Sequence, residues 1–260
     1  GSRKLIFLMI IMSVINSVDD VYLLVNLYNT RKEYDVILNK YSEDEERIFR
    51  LEKDMYYMQS LTILAAEFKK LEAEGVPVIW RPLHEAAGDY KWGAWFWWGN
   101  GGSEVCKKLW RYMYDCFTNE YGLNNLIWVR TAQTSYEGKP ADVSYLKDWY
   151  PGDDCVDIVG ADLYLSKGVS SVDQFNLVNL SVKGKKMVTM SEFGNLPNLD
   201  DCYENGALWL YYMNWCAFDE NGKPALYSKK SDGTYNWNNS TEDWKQTLQN
   251  TLTINRGDLQ

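Results

Sequence analysis

Two glutamates in this chain stand just past apolar runs. Glu85 closes the stretch Val76-Pro77-Val78-Ile79-Trp80-Arg81-Pro82-Leu83-His84-Glu85, and Glu192 follows Lys186-Met187-Val188-Thr189-Met190-Ser191. Short β-branched and aromatic runs read as buried strands. In barrels of parallel strands, the end where polar residues begin is where catalytic side chains sit. Two carboxyl groups at the same end of two strands could flank one bond, which is what glycosidic hydrolysis requires. One of the two would have to keep its proton near neutral pH, helped by a neighbouring anion and apolar walls. The other glutamate offers the anion, and Trp95-Phe96-Trp97-Trp98 offers the walls. A glutamate beside the chain's only histidine, His84, with an aromatic block just after it, suits a flat, polar, ring-shaped ligand.

The elements that must hold these residues are legible in outline. From Ser42 to Glu74 acidic residues open a helical pattern, apolar residues recur along it, and Gly75 closes it. Val76–Trp80 is the strand before Glu85. Ser103–Asn119 is a second helix, and Leu126–Val129 a strand. Thr131–Leu146 reads as a long polar loop, and such loops in compact domains are usually functional. Val156–Leu165, Lys186–Met190 and a run near Leu210–Trp215 read as further strands, with a weak helix over Val172–Leu180. This alternation predicts parallel strands joined by crossover helices, an α/β fold. Leu5–Val14 reads either as a buried first strand, the preferred reading, or as the apolar centre of a secretory signal. It is too short to span a membrane, so no membrane partner is expected.

The 260 residues fit one α/β barrel or one to two smaller domains, and a single barrel domain over 1–260 is the expectation. Aromatic residues make up 15% of the chain, more than a core needs, and the surplus suits a groove that stacks on sugars. The net charge of −9 disfavours a nucleic-acid partner, which would want a basic face. The five cysteines form no CxxC and no cluster with histidine, so a zinc site is not expected.

Arg81-Pro82-Leu83-His84-Glu85, Gly88 and Trp95-Phe96-Trp97-Trp98-Gly99 together resemble the signature of glycoside hydrolase family 26. Its usual members are secreted endo-β-1,4-mannanases. Asn125-Leu126-Ile127-Trp128-Val129, Trp149-Tyr150-Pro151-Gly152-Asp153, Val156–Gly160 with Asp162 and Tyr164, and Ser191-Glu192-Phe193-Gly194 follow in the family's order. The resemblance implies a (β/α)8 TIM barrel; the family has three strands before the one carrying Glu85 and only Leu5–Val14 reads as one here, so either the barrel is incomplete at its amino-terminal end or two short strands escape the pattern. It implies Glu85 as acid/base and Glu192 as nucleophile of a retaining reaction without cofactor or metal. His84 would position Glu85 or a sugar hydroxyl, Tyr164 would bond the nucleophile, and Trp95 and Trp215 would stack on sugars. Arg81 and Asp162 are further binding candidates. The implied partner is a β-mannan polysaccharide or oligosaccharide, met outside the cell by a monomer. Each supporting residue also has a plainer reading: Trp97, Trp98, Tyr164 and Trp215 as core, Asp162 as a loop brace, Arg81 as a structural ion pair. The chain departs from the family in the residues Asp89–Ala94, which include a competing Trp92. It departs again at Val129-Arg130-Thr131, where the family more often has an aromatic. β-1,3-Xylan or mixed-linkage β-glucan are alternative substrates on this fold, and a carbohydrate-binding barrel remnant without turnover is the alternative of another class.

Overall fold

The computed structural model of the chain describes residues 43–88, 93–136, 139–215, 217–218, 224–225 and 239–254. The expected strand Leu5–Val14 and the competing Trp92 lie outside the described residues. The chain divides into two compact units. One takes residues up to Trp80 together with Tyr112–Ile127, and the other takes Arg81–Arg111 with the residues from Trp128 onward.

In the first unit, helix α1 (Glu43–Ala73) presents Leu61, Ala65 and Phe68 at helical spacing, and all three are buried. It ends where expected: the Gly75 N–H donates to the Glu72 carbonyl and the Val76 N–H reaches back to Leu71. Strand β1 (Val78–Trp80) is shorter than the run Val76–Trp80 suggested. Pro77 has no N–H to give, so pairing starts at Val78, whose N–H donates to the Asn125 carbonyl at 2.8 Å. Phe68, Trp80 and Phe117 meet edge to face, with Phe68 5.1 Å from Trp80 and 5.5 Å from Phe117 between ring centres. Phe117 sits on a π-helical turn, Cys116–Glu120.

The second unit carries the beginning of α2 (Gly102–Asp115) and then most of the alternating pattern. Strand β2 (Leu126–Ala132) is followed by the small hairpin of β3 (Ser135–Tyr136) and β4 (Lys139–Pro140), and by α3 (Val143–Asp148). Then come β5 (Ile158–Leu163), α4 (Val172–Ser181), β6 (Met187–Phe193), α5 (Leu199–Glu204), β7 (Tyr212–Asn214) and α6 (Thr241–Gln249). Strands β2, β5, β6 and β7 are neighbours in that order, and every pair is parallel. Their burial is almost continuous along β5 and β6, as expected of parallel strands covered on both faces.

The expected loop Thr131–Leu146 is more ordered than its composition suggested. It holds the end of β2, the hairpin and the start of α3. Asp142 starts that helix by accepting a bond from the Tyr145 N–H at 2.8 Å. Asn198 caps α5 in the same way, accepting from the Asp201 N–H, and Ser240 with Asp243 forms a reciprocal cap on α6. Helix α5 lies between β6 and β7, where the alternation allowed either a helix or a loop.

Candidate active site

All the strand-end residues singled out in the sequence belong to the second unit, and five of them meet. Arg81 follows β1 in the chain. Its Nη1 donates to Asp162 Oδ2 at 3.0 Å and Oδ1 at 3.2 Å, and its Nη2 donates to Glu192 Oε1 at 2.5 Å. The three side chains are almost fully buried. Tyr164, one residue past β5, donates its hydroxyl to Glu192 Oε2 at 2.6 Å. Both oxygens of Glu192 are therefore held by donors, one charge-assisted guanidinium N–H on one side and a phenol on the other. One carboxylate oxygen from each of Glu85, Asp162 and Glu192 lies within 4.8 Å of the other two.

Glu192 reaches this cluster because β6 is irregular. Ala161 pairs with Met190, but Asp162 pairs with Glu192, so Ser191 is one extra residue in β6. Across the next pair, Met190 matches Tyr212 and Phe193 matches Asn214, which again leaves one residue over. Such a bulge re-aims side chains and often lies beside an active site. Adjacent residues of a regular strand face opposite ways. Here Ser191 and Glu192 both serve the cluster. Ser191 Oγ donates to Asp162 Oδ1 at 2.8 Å and lies 3.3 Å from Thr131 Oγ1, while Thr131 also accepts from Arg81. Room for Ser191 comes from Gly160, where a Cβ would stand 2.5 Å from its hydroxyl oxygen. Ser191 and Thr131 are the functional side chains the sequence reading missed. Thr131 could have been found, since it alternates with Val129 on one face of β2. Ser191 could not, because period-two logic places it opposite Glu192.

Glu85 sits on a turn rather than on the strand. Leu83 and Glu85 both have positive φ, 52° and 48°. Side chains rarely adopt that region, and the cost is on the order of 1–3 kcal/mol each when they do. The turn is closed by the Gly88 N–H donating to the Glu85 carbonyl. At Gly88, φ is +59° and a Cβ would stand 2.6 Å from the Gly93 carbonyl oxygen and 2.8 Å from the Trp95 nitrogen. Only glycine lets the turn carrying Glu85 press against the segment carrying Trp95.

The electrostatics separate the carboxyl groups. Burial, then Asp162 and Glu192, lift Glu85 from 4.5 to about 7, against the pull of Arg81. Burial also raises Asp162 above the usual carboxylate range, although Arg81 opposes it. Burial works against the Arg81 cation, and Asp162 and Glu192 overcome it, so its pKa stands above the ordinary arginine value. Burial and the bond to Glu192 keep the Tyr164 phenol protonated. His84 is pushed down to about 4 by burial and by Arg81, which leaves it neutral at physiological pH.

The remaining candidates are placed less centrally. His84 packs against Phe96 and Trp98, with ring centres 4.8 and 5.6 Å away, and its carbonyl accepts from the Trp98 indole at 2.8 Å. Phe96 and Trp98 stack 4.5 Å apart. Trp98, half-buried, is thus part of the wall that supports the Glu85 turn. Trp95 is 47% exposed, in keeping with a surface that meets a ligand. Trp215, just beyond β7, is half-buried, and its N–H donates to the Phe193 carbonyl at 3.0 Å.

Known proteins resemble this chain in sequence and fold. The family model described as glycosyl hydrolase family 26 matches residues 19–240. The mannan endo-1,4-beta-mannosidase of Thermothelomyces thermophilus is 38% identical over 191 residues, which is 72% of this chain and 34% of that protein. Mannan endo-1,4-beta-mannosidase B of Piromyces sp is 38% identical over 152 residues, or 58% of this chain and 23% of its own length. The chain therefore spans about a third or less of these curated relatives. Among solved structures, a beta-mannanase from a symbiotic protist of the termite Reticulitermes speratus, complexed with gluco-manno-oligosaccharide, superposes with a TM-score of 0.64. It is 38% identical, over 80% of this chain and 56% of that one. A ruminal endo-beta-1,4-mannanase gives a TM-score of 0.61 at 31% identity, over 76% of this chain and 40% of that one.

Proposed function

The chain belongs to glycosyl hydrolase family 26, and from that premise we propose that it hydrolyses internal β-1,4-mannosidic bonds of mannan, glucomannan or galactomannan with retention of configuration. The observation that carries the proposal is the approach of Glu85 and Glu192, with carboxylate oxygens within 4.8 Å of each other. Retaining glycosidases hold their carboxyl groups roughly 5–5.5 Å apart, whereas inverting ones leave room for a water at about 6.5–9.5 Å.

The chemistry follows from the arrangement. Glu85, protonated up to about pH 7, gives its proton to the glycosidic oxygen as the bond breaks. Glu192, aligned by Arg81 and Tyr164, attacks the anomeric carbon and becomes a glycosyl ester. Esterification removes one of the charges that raise Glu85, so Glu85 becomes more acidic and can take a proton from the incoming water. That water releases the sugar and restores both groups. Asp162 keeps Arg81 in place. His84, neutral and backed by Phe96 and Trp98, positions Glu85 or a sugar hydroxyl. Trp95 and Trp215 supply faces on which pyranose rings stack. The reaction uses no cofactor and no metal. The proposal includes secretion and action as a monomer on a polymer met outside the cell.

Reducing-end release from galactomannan tests this, with the parent chain compared to Glu192→Ala. The parent is expected to release sugar, and the variant to lose at least ~10³-fold in rate while still binding the polymer. Equal release by both would assign the nucleophile elsewhere. Binding without release by the parent would instead favour a carbohydrate-binding module.

A further inference from the structure

Arg130 is a buried charged residue of β2 that the proposed chemistry does not use. Its neighbour Thr131 faces Arg81, so alternation along the strand turns Arg130 to the opposite side, away from the carboxylate cluster. Arg130 is only 5% exposed. Its Nε donates to the Trp149 carbonyl at 3.2 Å, and its Nη1 is buried with no partner among the described residues. A buried cation is costly unless a counter-charge accompanies it. The groups whose charge it feels are Cys106, Asp162 and Tyr145, and Asp162 is already committed to Arg81 and Ser191. Burial correspondingly pulls the Arg130 pKa down.

Beside this guanidinium lies a small recess, with room for a single water-sized or slightly larger species, bounded by β2, β5, α3 and the end of α4. Gln133, Tyr145, Leu146, Trp149 and Tyr150 line it with Arg130, and Arg130 is the only charged residue among its lining. A single positive charge balances a single negative one. Phosphate or sulfate would ask for a second cation or a helix terminus aimed at it, and the lining offers neither.

We propose that this recess is an anion site in which Arg130 holds a small monovalent inorganic ion of the size of chloride. The ion supplies the counter-charge that the described protein groups do not, and it ties β2 to Trp149 and α3. This site does not depend on the reading of the carboxylate cluster as a mannanase centre, since the two lie on opposite sides of β2.

The test is thermal unfolding of the full chain at fixed ionic strength, with chloride progressively replacing methanesulfonate. The parent is expected to gain roughly 4 °C by the point where chloride is about tenfold above its dissociation constant and to go on rising with the logarithm of chloride, and Arg130→Met is expected to melt at one temperature throughout. A flat parent curve, or the same rise in Arg130→Met, would overturn the site. If Arg130→Met does not fold, crystals of the parent soaked in bromide decide the matter. An anomalous peak within hydrogen-bond reach of the Arg130 guanidinium supports it, and the absence of one rejects it.

Discussion

A carboxyl group that gives up a proton at neutral pH has to be kept from losing it earlier, and the surroundings of Glu85 do this by burial and by two neighbouring acids. Two outcomes follow for that residue. In the free enzyme, kcat/KM should fall as pH rises through about 7, because Glu85 must enter the reaction protonated. In Glu85→Ala, assayed on an aryl mannobioside whose leaving group needs no proton, that basic limb should vanish, and a limb that persists at the same pH would assign the acid elsewhere. The second outcome concerns stability. Between its ordinary value of 4.5 and about 7, Glu85 binds its proton in the folded chain but not in the unfolded one. Stability from this group is thus present at low pH and lost as pH rises through that window. Glu85→Gln should therefore raise the melting temperature more at pH 8 than at pH 5. A larger gain at pH 5 would reverse the sign of the argument. The residue types at this scale were legible from sequence alone: Arg81, Glu85, Asp162, Tyr164 and Glu192 were all singled out there. What could not be read was that Arg81 would bridge Asp162 and Glu192, because that depends on three strand ends arriving together.

At the level of elements, two local irregularities aim the carboxyl groups. Glu85 rides a turn with two positive φ angles, and Glu192 follows a bulge that inserts Ser191 into β6. The strands themselves were visible as apolar runs, but their ends were misjudged. Lys186–Met190 was expected to stop before Glu192, whereas β6 continues to Phe193. The polar Ser191-Glu192 pair masked the continuation, since polar residues ordinarily mark a strand's end and here they line the site. The long loop before Leu146 was misread for a similar reason: its polar residues hid a capped helix and a hairpin. The bulge makes a specific demand on its neighbour in β5. Gly160→Ala would push a methyl to within 2.9 Å of the Ser191 Cβ, and overpacking of this kind costs about 1–3 kcal/mol. Urea unfolding should show that loss, together with a lowered kcat as Ser191 releases Asp162. An alanine variant as stable and as active as the parent would mean that Ser191 is not held as described.

For the molecule as a whole, the α/β class and the family were legible before any coordinates, and the parallel order of β2, β5, β6 and β7 agrees with a (β/α)8 barrel fold. The signal was strong because several short motifs recur in one order along the chain, and that order reflects strand succession. The surplus of aromatic residues is accounted for on two levels. Phe96 and Trp98 brace the turn under Glu85, while Trp95 stands exposed. The central claim is that Glu192 and Glu85 act on the same anomeric carbon, one forming a bond to it and the other managing the proton. The most direct measurement is to incubate the chain with a 2-deoxy-2-fluoromannobiosyl donor bearing a good leaving group, then to digest it and locate the label by mass spectrometry. The account predicts one fluoromannobiosyl group, ester-linked to Glu192 and absent from Glu192→Ala. A label on any other residue, or turnover of the donor with no covalent adduct, would contradict it.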